Sequence, residues 1–251
     1  MSGHSKWSKI KRKKGAADAK RSQMFSRVIK EITVSVREGN SDDPDFNPRL
    51  RLAILNAKGA NMPKENIERA IKKAMEYSSS AFHTPTYEGY GPGGIAIFVE
   101  CATDNLNRTI AVIRSTFARK GGSLATSGSV DFLFERKGIF ILNPKGHDGE
   151  ALELELIDGG AEEIEFDGDT GEMTVTVDFE DFGNMQKKLD DLNLVAIRAS
   201  IERIPVTTSS VSLEEAKKVL NLIESLEDND DVQNVFHNLE MTEELEAALT
   251  E

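Results

Sequence analysis

Apolar residues recur at helical spacing as far as Ala74, and from Ile95 onward they gather into short β-branched and aromatic runs separated by glycine turns. That switch of period rules out an all-helical and an all-β chain, and predicts an α+β protein with a helical start. With 251 residues there is room for more than one core, and one to three domains are expected.

Phe25, Val28, Ile29, Ile32 and Val36 form the first stripe, which Gly39 and the polar run Asn40 to Asp45 bring to an end. Asn47 before Pro48 is a cap followed by proline at the first helical position, and Leu50, Ala53, Ile54 and Ala57 lead on to Gly59. Pro63 and Glu65 open a third helix that carries Ile67, Ala70, Ile71 and Ala74 on one face. Residues 1–78 therefore read as a basic arm and a three-helix bundle, followed by a Ser-rich linker, Ser78 to Thr86, that contains Pro85.

Beyond the linker, Ile95 to Cys101 reads as a buried strand launched by the tight turn Gly91-Pro92-Gly93-Gly94. Asp104, Asn105 and Asn107 offer caps for a helix with Ile110, Ile113 and Phe117, and Val130 to Phe134 reads as a second strand, completing a βαβ half. The next elements are a strand at Gly138 to Leu142, a segment over 151–158 whose Leu152, Leu154 and Leu156 alternate as in a strand but which context favours as a short helix, a hairpin around Asp167 to Gly171, a helix from Phe182 to Leu192 and a strand from Leu194 to Ile204. Their order, β, α, β, β, α, β, is the ferredoxin-like pattern. Ser212 and Glu215 make a capping box for a further helix through Leu226, and Val232 to His237 gives a last strand. The expected arrangement is a split α+β domain, 79–135 with 205–238, that receives 136–204 as an inserted ferredoxin-like domain, with 239–251 as an acidic tail.

The net charge of −12 conceals a polarised chain: residues 1–78 hold 18 Lys and Arg against 9 Asp and Glu, and residues 79–251 hold 13 against 34. Clustered cations displace counterions from a phosphate backbone, so a basic arm on an acidic body points to a nucleic-acid partner. Lys6, Lys9, Lys11, Arg12, Lys13, Lys14, Lys20 and Arg21 are the candidate phosphate contacts. Trp7, the only tryptophan, either stacks on an unpaired base or docks on the bundle. Arg27, Arg49, Arg51 and Arg108 extend the candidate surface. Arg108 heads a positive cluster with Arg114, Arg119 and Lys120. It sits at a helix start, where the macrodipole disfavours a cation, so it serves either a phosphate or a nearby carboxylate. Phosphate contacts position rather than specify, and the three-helix region lacks a distinctive helix-turn-helix signal.

Catalysis finds little support in the residues. His4, His83, His147 and His237 are far apart with no helical pair among them, and Cys101 lies mid-strand without a flanking base. Gly91 to Gly94 lacks the Lys-Ser/Thr of a P-loop, and Asp167 to Glu172 has its glycine and glutamate at the wrong positions for a calcium loop. Neither an enzyme nor a cofactor or metal is expected. No apolar run approaches the roughly 18 residues of a membrane span, the start lacks a secretory signal, and one cysteine permits no internal disulfide. A cytoplasmic protein without a membrane partner is expected.

Several stretches occur together in order: Gly3-His4-Ser5-Lys6-Trp7, Asn47-Pro48-Arg49-Leu50-Arg51, Asn61-Met62, Tyr87 to Gly94, Thr103-Asp104-Asn105 with Asn107-Arg108-Thr109, Gly128-Ser129-Val130, Phe134 to Gly138, Glu180-Asp181-Phe182, Leu226-Glu227-Asp228 and Asp231 to Val235. In these the chain resembles the YebC/PmpR family, whose members include proteins named "probable transcriptional regulatory protein" and, in mitochondria, a translational activator. The resemblance covers nearly the whole length. It implies a helical N-terminal domain, two ferredoxin-like units and a role in regulating gene expression. The expectation is a non-enzymatic DNA-binding transcriptional regulator. Its rival is a ribosome-associated, RNA-binding translation factor, and a weaker one is an adaptor whose acidic units engage a protein partner.

Overall fold

A computed structural model describes residues 17–76, 82–146 and 149–250. Three helices come first: α1 (Ala17–Gly39), α2 (Pro48–Gly59) and α3 (Lys64–Glu76). Then come β1 (Thr86–Tyr90), β2 (Ala96–Cys101), α4 (Leu106–Arg119), β3 (Ser123–Leu124), β4 (Phe134–Leu142), α5 (Gly149–Asp158), β5 (Ala161–Phe166) and β6 (Met173–Asp178). The chain finishes with α6 (Phe182–Asp191), β7 (Arg198–Pro205), α7 (Leu213–Glu227), β8 (Val232–His237) and α8 (Glu243–Thr250). These elements form an α+β protein with two four-stranded sheets and two compact units. The first unit gathers the described residues of 1–34, 76–135 and 204–251, and the second holds 35–75 and 136–203. Among the described residues no helix is long and apolar enough to cross a membrane.

In the first unit the strand order is β3-β1-β2-β8, each neighbouring pair antiparallel. Period-two alternation along β2 sends Ile95, Ile97 and Val99 to one face, where Ile113 and Phe117 of α4 and Val219, Leu220 and Ile223 of α7 cover them. The opposite face presents Ala96 and Phe98, which pack with Phe236, Val130 and Phe134. Burying each such large side chain contributes about 1.5–3 kcal/mol. Ser212 caps α7 through the expected reciprocal box with Glu215, and the Asn105 Oδ1 accepts the Arg108 N–H at 3.0 Å to cap α4.

Three expectations fail in this unit. Thr86 to Tyr90, where the sequence reading has only the end of the linker and no strand, is a strand paired with β2 through the Pro92–Gly94 turn, where Gly93 and Gly94 take φ of 70° and 77°. The chain therefore begins this sheet with a hairpin rather than a βαβ half. Val130 to Phe134 is not a strand: Asp131–Leu133 form a single 3-10 turn, and β4 starts only at Phe134. The cause is Glu88, a buried carboxylate that accepts the N–H groups of Gly128, Val130 and Asp131 at 2.6, 2.6 and 3.0 Å, taking the donors that a ladder would need. Finally, the acidic tail is helical from Glu243, and Met241 and Leu245 join the core with α7.

The second unit builds its sheet in the order β5-β6-β4-β7 from the sequence β, α, β, β, α, β, which is the ferredoxin-like arrangement expected. Leu152 and Leu156 of α5 and Met185 and Leu189 of α6 pack on Phe140, Val175 and Val177. β7 is shorter than the strand read from Leu194, since only Arg198 to Pro205 pair. Leu52 and Leu55 of α2 pack against the same core, and the Asn56 Oδ1 accepts the Ala199 N–H at 3.1 Å. Asn47 is buried as the cap of α2: its Oδ1 accepts the Leu50 N–H, and its Nδ2 donates to the carbonyls of Ser35 and Ser41.

Candidate nucleic-acid interface

The basic segment leads into α1, and α1 is fastened to the first unit by three polar side chains at helical spacing, Gln23, Arg27 and Lys30. Gln23 Nε2 donates to the Glu227 carbonyl at 2.7 Å, and Arg27 Nη2 donates to the same oxygen. Glu227 ends α7, where unpaired carbonyls and the negative end of the macrodipole favour a cation. Burial pulls the Arg27 pKa down, while Glu227, Asp228 and Asp230 push it back up. Lys30 Nζ donates to the Asp230 carbonyl at 2.6 Å and to Asp231 Oδ1 at 2.8 Å.

Asp231 is the hub of this contact. Its Oδ2 receives Arg108 Nη2 at 3.0 Å and lies 2.8 and 3.2 Å from the Thr109 and Thr103 hydroxyls. With its side chain only 10% exposed, burial would raise the carboxyl. The hydrogen bonds from Lys30, Thr109 and Arg108 outweigh that and hold it at about 2. Arg108 is shared with Asp104 at 2.9 Å, and bonds to Asp231 and Asp104 raise its pKa. An open cleft of about 490 Å³ lies here, with Lys30, Arg108, Asp104, Asp230, Asp231 and Phe82 in its walls. Three carboxylates against two cations make it a poor seat for an anion.

The remaining candidates divide. Lys6, Trp7, Lys9, Lys11, Arg12, Lys13 and Lys14 lie outside the described residues, and Lys20 falls on the first turn of α1. Arg21 is exposed on α1, its guanidinium 5.5 Å from the Phe25 ring centre. In the second unit Arg49 pairs with Glu38, and Arg51 donates to the carbonyls of Pro44 and Asp45, both at 3.0 Å. Ala60 to Pro63 join α2 and α3 in a turn of helix-turn-helix length, but the exposed start of α3 carries Glu65 and Glu68 against Lys64 and Arg69, with Lys64 paired to Glu68. A helix start with no surplus of positive charge gives groove reading little support. Sequence reasoning missed Lys30 and Asp231 as partners, because 200 residues separate the two and neither stands in a local motif. The one available signal was the i, i+4, i+7 polar row of Gln23, Arg27 and Lys30 beside an apolar stripe. Cys101, as expected, is an inert core residue: burial, with Asp231 close by, pushes its thiol up to about 12.

Comparison with known proteins bears on the whole chain. The family described as "TACO1/YebC protein N-terminal domain" matches residues 5–76, and "TACO1/YebC second and third domain" matches residues 82–239. A "probable transcriptional regulatory protein" of Amoebophilus asiaticus is 52% identical over 240 residues, covering 95% of this chain and 98% of that protein. One of the same name from Geobacillus thermodenitrificans is 48% identical over 243 residues, covering 96% and 97%. The crystal structure of a conserved hypothetical protein from Aquifex aeolicus superposes with a TM-score of 0.79 at 41% identity, covering 91% of this chain and 93% of that one.

Proposed function

Because the chain belongs to the TACO1/YebC family, we propose that it is a non-enzymatic, nucleic-acid-binding regulator of gene expression that acts on transcription by engaging DNA through its basic N-terminal segment. The observation that carries this reading is the concentration of Lys6, Lys9, Lys11 to Lys14, Lys20 and Arg21 at the head of an acidic chain. The first six of these cations precede α1 in the sequence, Lys20 and Arg21 lie on its first turns, and Arg27 and Lys30 further along tie the helix to the first unit. A polycation fixed at one end keeps its charge close to the body that must be positioned, so binding there orients the acidic units along the polyanion. The name "probable transcriptional regulatory protein" carried by relatives supports action on transcription.

A second reading, an RNA-binding translation factor on the ribosome, is favoured by one feature: the cations are clustered along the sequence as for backbone contact, while the start of α3 has no surplus of positive charge with which to read a groove. Competition of duplex DNA, unstructured RNA and ribosomes for the protein across a salt series separates the two. The variant with Lys11, Arg12, Lys13 and Lys14 changed to Ala is measured alongside. Promoter-selective DNA binding that collapses in the variant supports transcription. Ribosome binding that survives excess DNA moves the action to translation, and unchanged binding by the variant overturns the arm as the contact.

A further inference from the structure

From Asn105 to Val130 the chain holds four cations, Arg108, Arg114, Arg119 and Lys120, and no carboxylate, although residues 79–251 carry 34 acidic residues. The structure sorts these cations. Arg108 is committed to Asp104 and Asp231. Lys120 Nζ bonds the Asn221 Oδ1 of α7, one turn from exposed Lys217. Arg114 and Arg119 are exposed on α4 and make no ion pair or side-chain hydrogen bond among the described residues.

At about 100° per residue Arg114 and Arg119 stand roughly 140° apart around α4, one at each margin of its solvent face. Between them the same geometry places Asn107, Ala118, Ala111, Ser115 and, near the Arg119 margin, Arg108, all exposed. The buried side, Ile113 and Phe117, is anchored in the core and fixes the rotation of the helix. Apart from Arg108, which Asp104 and Asp231 hold at the first turn, the solvent face is therefore a shallow track of short side chains with an arginine at each margin. Short residues let a backbone approach the helix closely, the Ser115 hydroxyl and the Asn107 amide supply donors, and each guanidinium reaches a phosphate with paired N–H groups.

We propose that this face of α4 is a second phosphate-backbone contact site, used by the same nucleic acid that the N-terminal segment engages. The inference rests on the nucleic-acid reading above, and two contact sites on one chain raise apparent affinity beyond either alone. The full-length protein, R114A/R119A and R114K/R119K are titrated with labelled duplex DNA and an RNA hairpin over a salt series, with circular dichroism as the check on folding. The alanine pair is expected to weaken binding roughly tenfold at low salt and to shrink the slope of log K against log salt by about 1.8 on duplex DNA, the share of two phosphates. The lysine pair is expected to keep the slope. An alanine pair with the slope and affinity of the unmodified protein overturns this site while leaving the function in place. Absence of binding by the unmodified protein removes both.

Discussion

Replacing Asp231 by Asn keeps the shape of the hub and removes its charge. The carboxyl sits at about 2 in the folded chain against an ordinary 3.8, and that difference is worth on the order of 2.5 kcal/mol, a factor of roughly 60 in an equilibrium constant. That figure is an upper value, because the Asp231 side chain is 10% and Lys30 22% exposed but Arg108 is 51% exposed and screened by solvent. The loss falls on the first unit, where Lys30 would remain facing the Ala102 and Asp230 carbonyls without its counter-charge. Cys101 supplies the assay, because it is the only cysteine, is buried in that unit's core and has its thiol pushed up to about 12. Its labelling by a thiol reagent at neutral pH requires opening of the first unit and reports that opening alone. D231N is expected to accelerate labelling at least tenfold and by up to about 60-fold. The pH dependence carries a definite sign: a depressed carboxyl gives stability that is complete above about pH 4 and is lost as pH falls towards 2, so the wild type weakens across that window and D231N does not. A labelling rate within twofold of wild type, with the acid transition unchanged, refutes the hub.

Other expected outcomes test the supporting structure. Glu88→Ala takes the acceptor from three backbone donors, of which the Val130 N–H is buried and those of exposed Gly128 and Asp131 can turn to water, and a loss of about 2 kcal/mol is expected in urea unfolding read by Cys101 labelling. Asn47→Ala removes the cap of α2 together with two amide bonds, and about 2 kcal/mol of stability is expected to go from the second unit, read by hydrogen exchange of the α2 amides. The amides of β1 and β2 are expected to keep their protection in that variant.

Where an element is held by contacts close in sequence, the chain alone disclosed it. Asn47, Asn105 and Ser212 cap as read, and the β, α, β, β, α, β order of the second unit follows from periodicity. The failures share a cause, namely a partner distant in the chain. Thr86 to Tyr90 contains Glu88 and Gly89, poor strand formers, yet Glu88 is pinned to the Gly128–Asp131 turn. Gly89 is needed because a Cβ there would stand 2.6 Å from the Ser123 carbonyl oxygen. Val130 reads as strand by composition, but its N–H belongs to Glu88. The acidic C-terminal run conceals Met241 and Leu245, whose burial depends on a surface supplied by α7.

The same distinction governs the candidate interface. A count of cations treats Arg27, Lys30, Arg49, Arg108, Arg114 and Arg119 alike, yet the first four are engaged by internal oxygens and only the last two are exposed without a partner among the described residues. A guanidinium that already holds two carboxylates must surrender them to bind a phosphate, so its gain from counterion release is offset by the ion pairs it breaks. Arg108→Ala is therefore expected to loosen the first unit, seen as faster Cys101 labelling, while leaving the salt slope of nucleic-acid binding unchanged. R114A/R119A is expected to do the reverse. A fall in the salt slope on changing Arg108 alone would place the phosphate at the Asp231 cleft and defeat this division of the cations.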